Sequence, residues 1–386
     1  MTGVEAARSA GIALVGIPGG RRVTLFQDAA RAAGLPAVRV VPWIEVLRGR
    51  ARFRPGERVR IDSPGEDPRV DRELRGVDDP TRVEGTARWY RRFVEGLDRV
   101  AAAAADAGAV LLDDPRALAV LFDKRLCHGA LREAGVAVPD SPTSGPGAPV
   151  PGGWAEVRSL AEASGLRRMF VKPAHGSSAS GVLAVETASR GRVQATTSVA
   201  RDGHGRLFNS LRVRRCTGEH EVAALVDALA PDGLHIERWL PKAGQGGRSA
   251  DLRVVVVGGR ATHAVVRTSV FPMTNLHLGG ARGDLPAALA AIEAAGGSWP
   301  EALRLCERAA GRFPGASRVG VDLLPHRRWR RFAVGEVNAF GDLLPGLTGL
   351  PGGGAEGLDT YGAQIAALLR APDHPSAAIA PGDQEA

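Results

Sequence analysis

Lysine is scarce in this chain, which makes each lysine a candidate for a role that arginine cannot fill. Of the 50 basic residues only three are lysines, Lys124, Lys172 and Lys242, and all the others are arginines. An ammonium group is a compact point charge, whereas a guanidinium is a planar fork. A narrow phosphate-binding cavity could therefore admit a lysine and exclude an arginine. Taken alone, Lys124 predicts only a solvated side chain, and Lys242 has no assigned role.

A loop of small residues follows Lys172. Residues 169–173 predict a strand that carries this lysine to its end, and residues 182–186 predict the return strand. The loop between them contains Gly176, Ser177, Ser178 and Gly181. Small residues allow backbone N–H groups to approach phosphate oxygens. The pattern indicates either a phosphate-binding loop or an ordinary glycine- and serine-rich turn.

A second segment could bind a nucleobase. The strand predicted at Ile236 ends in Glu237, Trp239 and Leu240. It stops at Pro241, which cannot extend strand pairing. Backbone groups at such a strand end could meet an adenine edge, while Trp239 and Leu240 would form apolar walls. The alternative is the end of a core strand.

Two carboxylates and an amide are expected to share one strand face. Glu336 and Asn338 are two residues apart, so both side chains point to the same side of a strand. The hairpin predicted from 319–324 and 329–338 brings Asp322 opposite Glu336. These hard oxygen ligands suit Mg²⁺ held jointly with phosphates. Alternatively, they pair with nearby arginines.

The elements around these residues predict an α/β fold. A βαβ unit is predicted at the start of the chain, with a strand at 11–17, a helix at 22–33 and a second strand at 37–41. Such a unit implies a parallel sheet. The turn after the first strand lacks the spacing G-x-G-x-x-G, so a dinucleotide site is not favoured, and the segment 16–19 has no assigned role. Residues 50–85 are charged and rich in proline and glycine, and we predict a long surface excursion there.

Further elements follow along the chain. A strand is predicted at 109–112, and Asp114 and Pro115 predict a helix start, with aspartate as N-cap. Residues 140–153 predict a loop, and Gly258-Gly259 predicts a two-residue hairpin turn. We divide the chain into an N-terminal βαβ domain at 1–115, a central subdomain with the phosphate loop at 116–235, a C-terminal subdomain with the metal site at 236–370, and a disordered tail at 371–386.

Composition narrows the function classes. The net charge is +8, but the basic residues are scattered, which does not favour nucleic-acid binding. No apolar run approaches the ~20 residues that cross a bilayer, and we expect no signal peptide and no membrane partner. The cysteines Cys127, Cys216 and Cys306 are far apart, which favours a reducing, cytoplasmic location. The sequence leaves the oligomeric state open, and a homo-oligomer is one of the alternatives.

The order of these motifs resembles the ATP-grasp superfamily over roughly residues 110–350. Within it, Asp251-Leu252-Arg253 and residues 274–280 (T-N-L-H-L-G-G) look like the ribosomal-protein glutamate ligases and related amino-acid ligases. That branch carries D-I-R and an S-N-L-H-R-G-G loop. Here Thr274 replaces serine and Leu278 replaces arginine, which removes a charge from the substrate loop.

The resemblance implies an ATP-grasp fold, in which two α+β subdomains sandwich ATP, and a carboxylate–amine ligase that forms an acyl phosphate. Lys124 and Lys172 would hold phosphates under the loop 176–181, with Asp251 near the ribose or phosphates. Glu237, Trp239 and Leu240 would bind adenine. Asp322, Glu336 and Asn338 would hold one or two Mg²⁺, with Mn²⁺ as an alternative. The residues implied in catalysis are Arg253, Arg267 and Lys172.

The substrates implied are ATP and a carboxylate and an amine, which could be small molecules or peptides. Two other functions remain open on the same fold. One is a phosphotransferase that stops after phosphorylating its acceptor. The other is a non-catalytic ATP-binding protein, although the retained Asp322, Glu336 and Asn338 argue against a decayed site.

Overall fold

The N-terminal region is built on a parallel sheet, as the βαβ pattern predicts. The structure is a computed structural model that describes residues 11–176, 179–188, 192–340, 344 and 346–370. The strands pair in the order β2-β1-β3-β4, all parallel. They are β1 (Ile12–Gly16), β2 (Arg39–Pro42), β3 (Arg58–Ile61) and β4 (Val110–Leu111). The helices are α1 (Arg21–Ala32), α2 (Trp43–Leu47), α3 (Pro68–Arg75) and α4 (Thr86–Ala107).

The surface excursion predicted at 50–85 is wrong. This segment contains β3, whose four residues are all buried, and α3, whose Val70 and Leu74 join the core. The charged pattern misleads because Arg58 and Arg60 lie inside the protein, only 8% and 4% exposed. Buried arginines require partners, which a local pattern does not reveal.

The central subdomain is an antiparallel sheet in the order β8-β7-β6-β5-β9. Its strands are β5 (Arg168–Pro173), β6 (Leu183–Thr187), β7 (Val193–Arg201), β8 (Leu207–Thr217) and β9 (Leu234–Arg238). Helices α5 (Pro115–Leu121) and α6 (Lys124–Glu133) precede it. Helices α7 (Trp154–Ala163) and α8 (Glu219–Leu229) pack on one face through Val157, Leu225 and their neighbours.

The C-terminal subdomain is a larger antiparallel sheet in the order β13-β12-β11-β14-β15, with β10 beside β11. Its strands are β10 (Gly244–Gln245), β11 (Arg248–Val257), β12 (Arg260–Ser269), β13 (Ala281–Arg282), β14 (Arg318–Pro325) and β15 (Phe332–Ala339). Helices α9 (Leu285–Ala294) and α10 (Trp299–Gly311) cover its core. The predicted Gly258-Gly259 turn is confirmed, and both glycines have positive φ, as a two-residue hairpin turn requires.

Two strands differ from the predicted bounds. β9 spans the position 235/236 at which we divided the chain, and helix α11 (Thr360–Arg370) packs through Tyr361 and Ile365 against α1. The division into domains stays a prediction, and the predicted disordered tail lies outside the described residues. β15 begins at Phe332 rather than at 329. Among the described residues, no helix has the length and apolar character needed to cross a membrane.

Candidate active site

Lys172 lies at the end of β5, where it faces a carboxylate on β9. Because Lys172 pairs with His235 and Phe170 pairs with Glu237, the lysine and the glutamate meet diagonally across the two strands. Lys172 Nζ lies 2.5 Å from Glu237 Oε1, and His235 Nε2 lies 3.4 Å from Oε2. Burial would raise the pKa of Glu237, but Lys172 and His235 outweigh burial and hold this pKa well below its usual range. Glu237 therefore carries a charge that neutralises the lysine.

Lys124 connects three parts of the molecule. Asp123 caps α6 by accepting from the N–H groups of Arg125 and Leu126, which fixes the lysine at the first helical position. Its Nζ lies 2.9 Å from Glu336 Oε1 on β15 and donates to the carbonyl of Gly176 in the small-residue loop. The loop, the helix and the C-terminal sheet thus meet at one ammonium group.

The small-residue loop is only partly described. Gly181 has φ +73°, and a Cβ there would lie 2.5 Å from Pro173 Cγ, so a larger residue would strain this position. The ring of His175 stacks on Tyr90 of α4 at 4.0 Å, which ties the start of the loop to the N-terminal region. Ser177 and Ser178 lie outside the described residues.

The predicted hairpin register at the carboxylates is confirmed. Asp322 is opposite Glu336, and Gly320 is opposite Asn338, whose Nδ2 donates to the Gly320 carbonyl at 3.2 Å. Asp322 Oδ1 accepts a hydrogen bond of 2.9 Å from Arg267 Nη2 and lies 2.9 Å from Arg253 Nε in an ion pair. Asp322 is thus paired with two arginines, as the alternative interpretation predicted, whereas Glu336 is paired with Lys124.

The pKa values of the two carboxylates are shifted in opposite directions. Burial raises the pKa of Asp322, and the nearby Asp251 and Glu336 charges add to this, so that even Arg253 and Arg267 do not reverse the shift. Burial also acts to raise the pKa of Glu336, but Lys124 and Lys172 outweigh it and lower this pKa. Asp322 therefore carries its charge at a free-energy cost, which a cation would relieve.

The donor set fits a divalent cation held jointly with another ligand. Among the described residues, no group of three or more His, Cys, Asp and Glu side chains is arranged to hold a metal ion. Asp322 and Glu336 supply two carboxylates on adjacent strands, and Asn338 adds an amide oxygen. Mg²⁺ is commonly held by one or two carboxylates together with substrate phosphates, and these three side chains could supply the protein part of such a site.

Asp251 is engaged by protein donors on both oxygens. Arg267 Nε lies 2.8 Å from Oδ1, and Lys242 Nζ lies 3.1 Å from Oδ2, to which the Thr274 hydroxyl also donates. Asp251 is 3% exposed. Sequence reasoning missed Lys242, and the only signal for it was the rarity of lysine.

The segment predicted to bind adenine lies beside the central sheet. Trp239 is half-buried, with its ring 5.6 Å from that of Phe170 and the Arg168 guanidinium 3.8 Å above it. Leu240 is also half-buried, and both follow directly after β9. The structure brings these residues to the strand end that carries Glu237, on the strand beside Lys172.

Comparison with solved structures identifies the fold. No family model matches the chain, and no curated protein matches it. The ATP-grasp ligase PsnB complexed with a minimal precursor has a TM-score of 0.51 at 17% identity, covering 94% of this chain and 99% of that one. The D-cycloserine synthetase DcsG has a TM-score of 0.54 at 16% identity, covering 93% and 98%.

A third match is a synthase that was solved with bound ADP. The N5-carboxyaminoimidazole synthase from Aspergillus clavatus, in complex with ADP and an aminoimidazole ribonucleotide, has a TM-score of 0.52 at 14% identity, covering 96% of this chain and 79% of that one. At these identities the likeness concerns the fold. The parallel N-terminal sheet followed by two antiparallel α+β subdomains is the ATP-grasp fold, and this chain has it.

Proposed function

We propose that the protein is an ATP-dependent carboxylate–amine ligase that acts through an acyl phosphate. The observation that carries this proposal is the convergence of Lys124 and Lys172 with Asp322 and Glu336. The lysines come from the segments around the small-residue loop, and the carboxylates come from the C-terminal sheet. A nucleotide phosphate chain between them would meet ammonium groups on one side and metal-binding oxygens on the other.

The proposed nucleotide contacts follow from these positions. Lys124 and Lys172 would bind phosphates, and the loop from Gly176 to Gly181, with Ser177 and Ser178, would cover them. Trp239 and Leu240, with backbone groups near Glu237, would hold the adenine. Each lysine now neutralises a glutamate, so phosphate binding would exchange one anionic partner for another. Because Lys124 would turn toward phosphate, Glu336 would become available to a cation.

Asp322, Glu336 and Asn338 would hold Mg²⁺. When bound, the ion would neutralise charge on the phosphoryl oxygens. Mn²⁺ is the alternative ion, since it accepts the same oxygen ligands. PsnB has also been solved with its minimal precursor, Mg and ADP, at a TM-score of 0.51, which supports a nucleotide and metal site on this fold.

The reaction needs no protein nucleophile. A substrate carboxylate oxygen attacks the γ-phosphorus of ATP, the bond to the β-phosphate oxygen breaks, and ADP leaves. An amine then attacks the acyl carbon, loses a proton to solvent, and inorganic phosphate leaves with the bonding electrons. Arg253 and Arg267 would orient the substrate carboxylate and its phosphate, since guanidinium groups bind such anions bidentately. Lys172 would stabilise the transferring phosphoryl group.

The substrates are proposed by class. A precursor peptide is named for PsnB and small molecules for DcsG and the carboxyaminoimidazole synthase, so both peptides and small carboxylic acids are candidates. A phosphotransferase and a non-catalytic nucleotide-binding protein remain the competing functions. We also propose a cytoplasmic location, which the three unpaired, buried cysteines support.

A product assay distinguishes these functions. Purified protein with ATP and Mg²⁺ is screened for ADP release against pooled amino acids, peptides and small carboxylic acids, and the products are identified by mass spectrometry. The ligase gives ADP, phosphate and an amide. ADP with a phosphorylated acceptor would identify a phosphotransferase instead. ATP binding without turnover under any pool would contradict the ligase.

A further inference from the structure

Three side chains from different elements converge on the carboxylate of Asp251. Arg267 on β12 and Lys242 before β10 approach to 2.8 and 3.1 Å, and Thr274 donates its hydroxyl hydrogen bond. Lys242 Nζ also reaches Thr274 Oγ1 at 3.4 Å. The side chains of Lys242 and Asp251 are only 7% and 4% exposed. A buried ion pair with this number of partners holds its members in one arrangement.

Thr274 lies on residues 270–280, which connect β12 to β13 and which we call the crossing segment. Its Met273 and Leu278 pack against Val182 and Ala184 beside the central sheet. Its Thr274 is held from the C-terminal sheet by Asp251. The crossing segment therefore contacts both subdomains, and Thr274 is a buried polar attachment to the C-terminal sheet, beside an exposed one at Gly279, whose carbonyl accepts from Arg248 at 3.2 Å.

Lys242 belongs to the connection between the same two subdomains. It follows Leu240 by two residues, and its backbone forms a bridge with His326, beyond the end of β14. The next residue, Ala243, donates to the Pro325 carbonyl at 2.9 Å. The lysine is thus fixed to the C-terminal sheet at its backbone and to the crossing segment at its ammonium group.

Arg267 transmits this arrangement to the candidate metal site. Its Nε contacts Asp251 and its Nη2 contacts Asp322, so the two carboxylates fix the plane of one guanidinium. Because Asp251 takes its place from Lys242 and Thr274, a change at either residue would loosen Arg267 at one edge. The free energy of burying Asp251 also depends on the Lys242 charge, since burial alone would raise the pKa of Asp251.

We propose that Lys242 is a positioning residue. Its ammonium group holds Asp251 and Thr274 together, which anchors the crossing segment and orients Arg267 toward Asp322. The role given to Arg267 rests on the proposed ligase function, whereas the anchoring of the crossing segment does not. Asp251 is then occupied by protein donors and serves the nucleotide only indirectly.

Hydrogen exchange of the full-length protein tests the anchoring directly. Lys242→Met keeps the aliphatic stem and removes the charge. We expect amides in residues 270–280 to exchange about 10- to 150-fold faster, the range that loss of a charge-assisted hydrogen bond gives. Thr274→Val should act similarly, Thr274→Ser should exchange like the wild type because it keeps the hydroxyl, and the Lys242→Met/Thr274→Val double variant should add little to either single change.

Two controls keep the outcome interpretable. Amides in β1 should be unaffected, and the affinity for a non-hydrolysable ATP analogue, measured by calorimetry, should stay about the same. Unchanged exchange in residues 270–280, equal acceleration in β1, or failure of Thr274→Ser to preserve the wild-type rate would overturn the proposal. A loss of analogue affinity as large as that of Lys172→Ala would also overturn it, by placing this group in the nucleotide site. If the wild type binds no analogue, the ligase proposal fails while the exchange result still decides the anchoring.

Discussion

Two groups of buried ion pairs in this molecule have opposite relations to solvent. The interface cluster, Arg60, Asp62, Asp113 and Arg318, joins the N-terminal sheet to β14, with Arg318 Nη1 2.8 Å from Asp113 Oδ1 and both side chains at most 2% exposed. At the candidate active site, Lys124 and Glu336 are 2.9 Å apart, and their side chains are 13% and 27% exposed. Similar distances therefore occur in one sealed network and one that remains open.

The difference indicates what each network can do. Sealed pairs cannot exchange partners, so the interface cluster can only hold the N-terminal region against the C-terminal sheet. Open pairs can be displaced by a ligand that offers the same charges. The interface cluster uses only arginine as its cation, whereas Lys124 and Lys172 pair with glutamates at the candidate active site.

The largest effect is expected from breaking the sealed network. Arg318→Met removes the partner of Asp113 and of the Ile61 carbonyl, and we expect it to lower the free energy of unfolding by about 3–5 kcal/mol. Urea denaturation followed by circular dichroism measures this. The matched control is Arg304→Met, since Arg304 forms an exposed pair with Glu301 that contributes about 0–1 kcal/mol. Equal effects of the two changes would show that the interface cluster is not structural.

Neutralising the open carboxylates should instead abolish turnover. Asp322→Asn and Glu336→Gln should each lower Mg²⁺-dependent ADP release about 100- to 1000-fold, the size found when one transition-state contact is removed. The two substitutions should change the melting temperature differently. The raised pKa of Asp322 shows that its charge is unfavourable in the folded state, so Asp322→Asn should keep or raise the midpoint. The lowered pKa of Glu336 shows the reverse, so Glu336→Gln should lower it. Full Mg²⁺-dependent activity in Asp322→Asn would exclude the metal site.

Removing a phosphate-binding lysine should have a smaller effect. Lys172→Ala should weaken binding of a non-hydrolysable ATP analogue about 10- to 150-fold, since a charge-assisted contact contributes about 1.5–3 kcal/mol. Lys172→Arg should also fail, because the fork is wider. Lys172→Ala leaves Glu237 buried without its main partner, so the double variant Lys172→Ala/Glu237→Gln is the control for stability. Calorimetric affinity that recovers in the double variant would show that Lys172 only neutralises Glu237.

The smallest effect is expected at the neutral ligand. Asn338→Ala removes an amide oxygen without changing the charge of the site, and a neutral contact contributes about 0.5–1.5 kcal/mol, or about tenfold at most. We therefore expect a modest rise in the Mg²⁺ concentration needed for half-maximal ADP release. A collapse as large as that of Asp322→Asn would mean that the Asn338 side chain, which also bonds Gly320, holds the strand in place.

The sequence predicted those parts of the site that depend on local periodicity. Glu336 and Asn338 face one side because strand residues alternate, and a hairpin necessarily returns Asp322 to the neighbouring strand. The pairing of Lys124 with Glu336 joins positions far apart in the chain, and no local pattern encodes it. Lys242 and Thr274 likewise reach Asp251 from loops that no local pattern joins to it, whereas Arg267 lies opposite Asp251 in the predicted hairpin.

The sequence failed where burial and charge disagree. β3 reads R-V-R-I, and its arginines look like surface residues, but both are buried, and Arg60 donates to Asp62 and to the distant Gln364. Leu278, which replaces the arginine of the resembled loop, is 1% exposed within an apolar cluster with Met273 and Val182.

A β-bulge in β15 shifts the alternation of its side chains by one residue. Asp322 is opposite Glu336, but the next residue, Leu323, is opposite Val334, which leaves Gly335 as an extra residue. Val334 and Val337 can therefore both face the core, although they are three positions apart. If the strand paired without the bulge, Gly335 would lie opposite Leu323, and Val334 would be turned away from the core. The bulge therefore allows one strand to supply both Val334 and Val337 to the core while Glu336, between them, faces the candidate metal site.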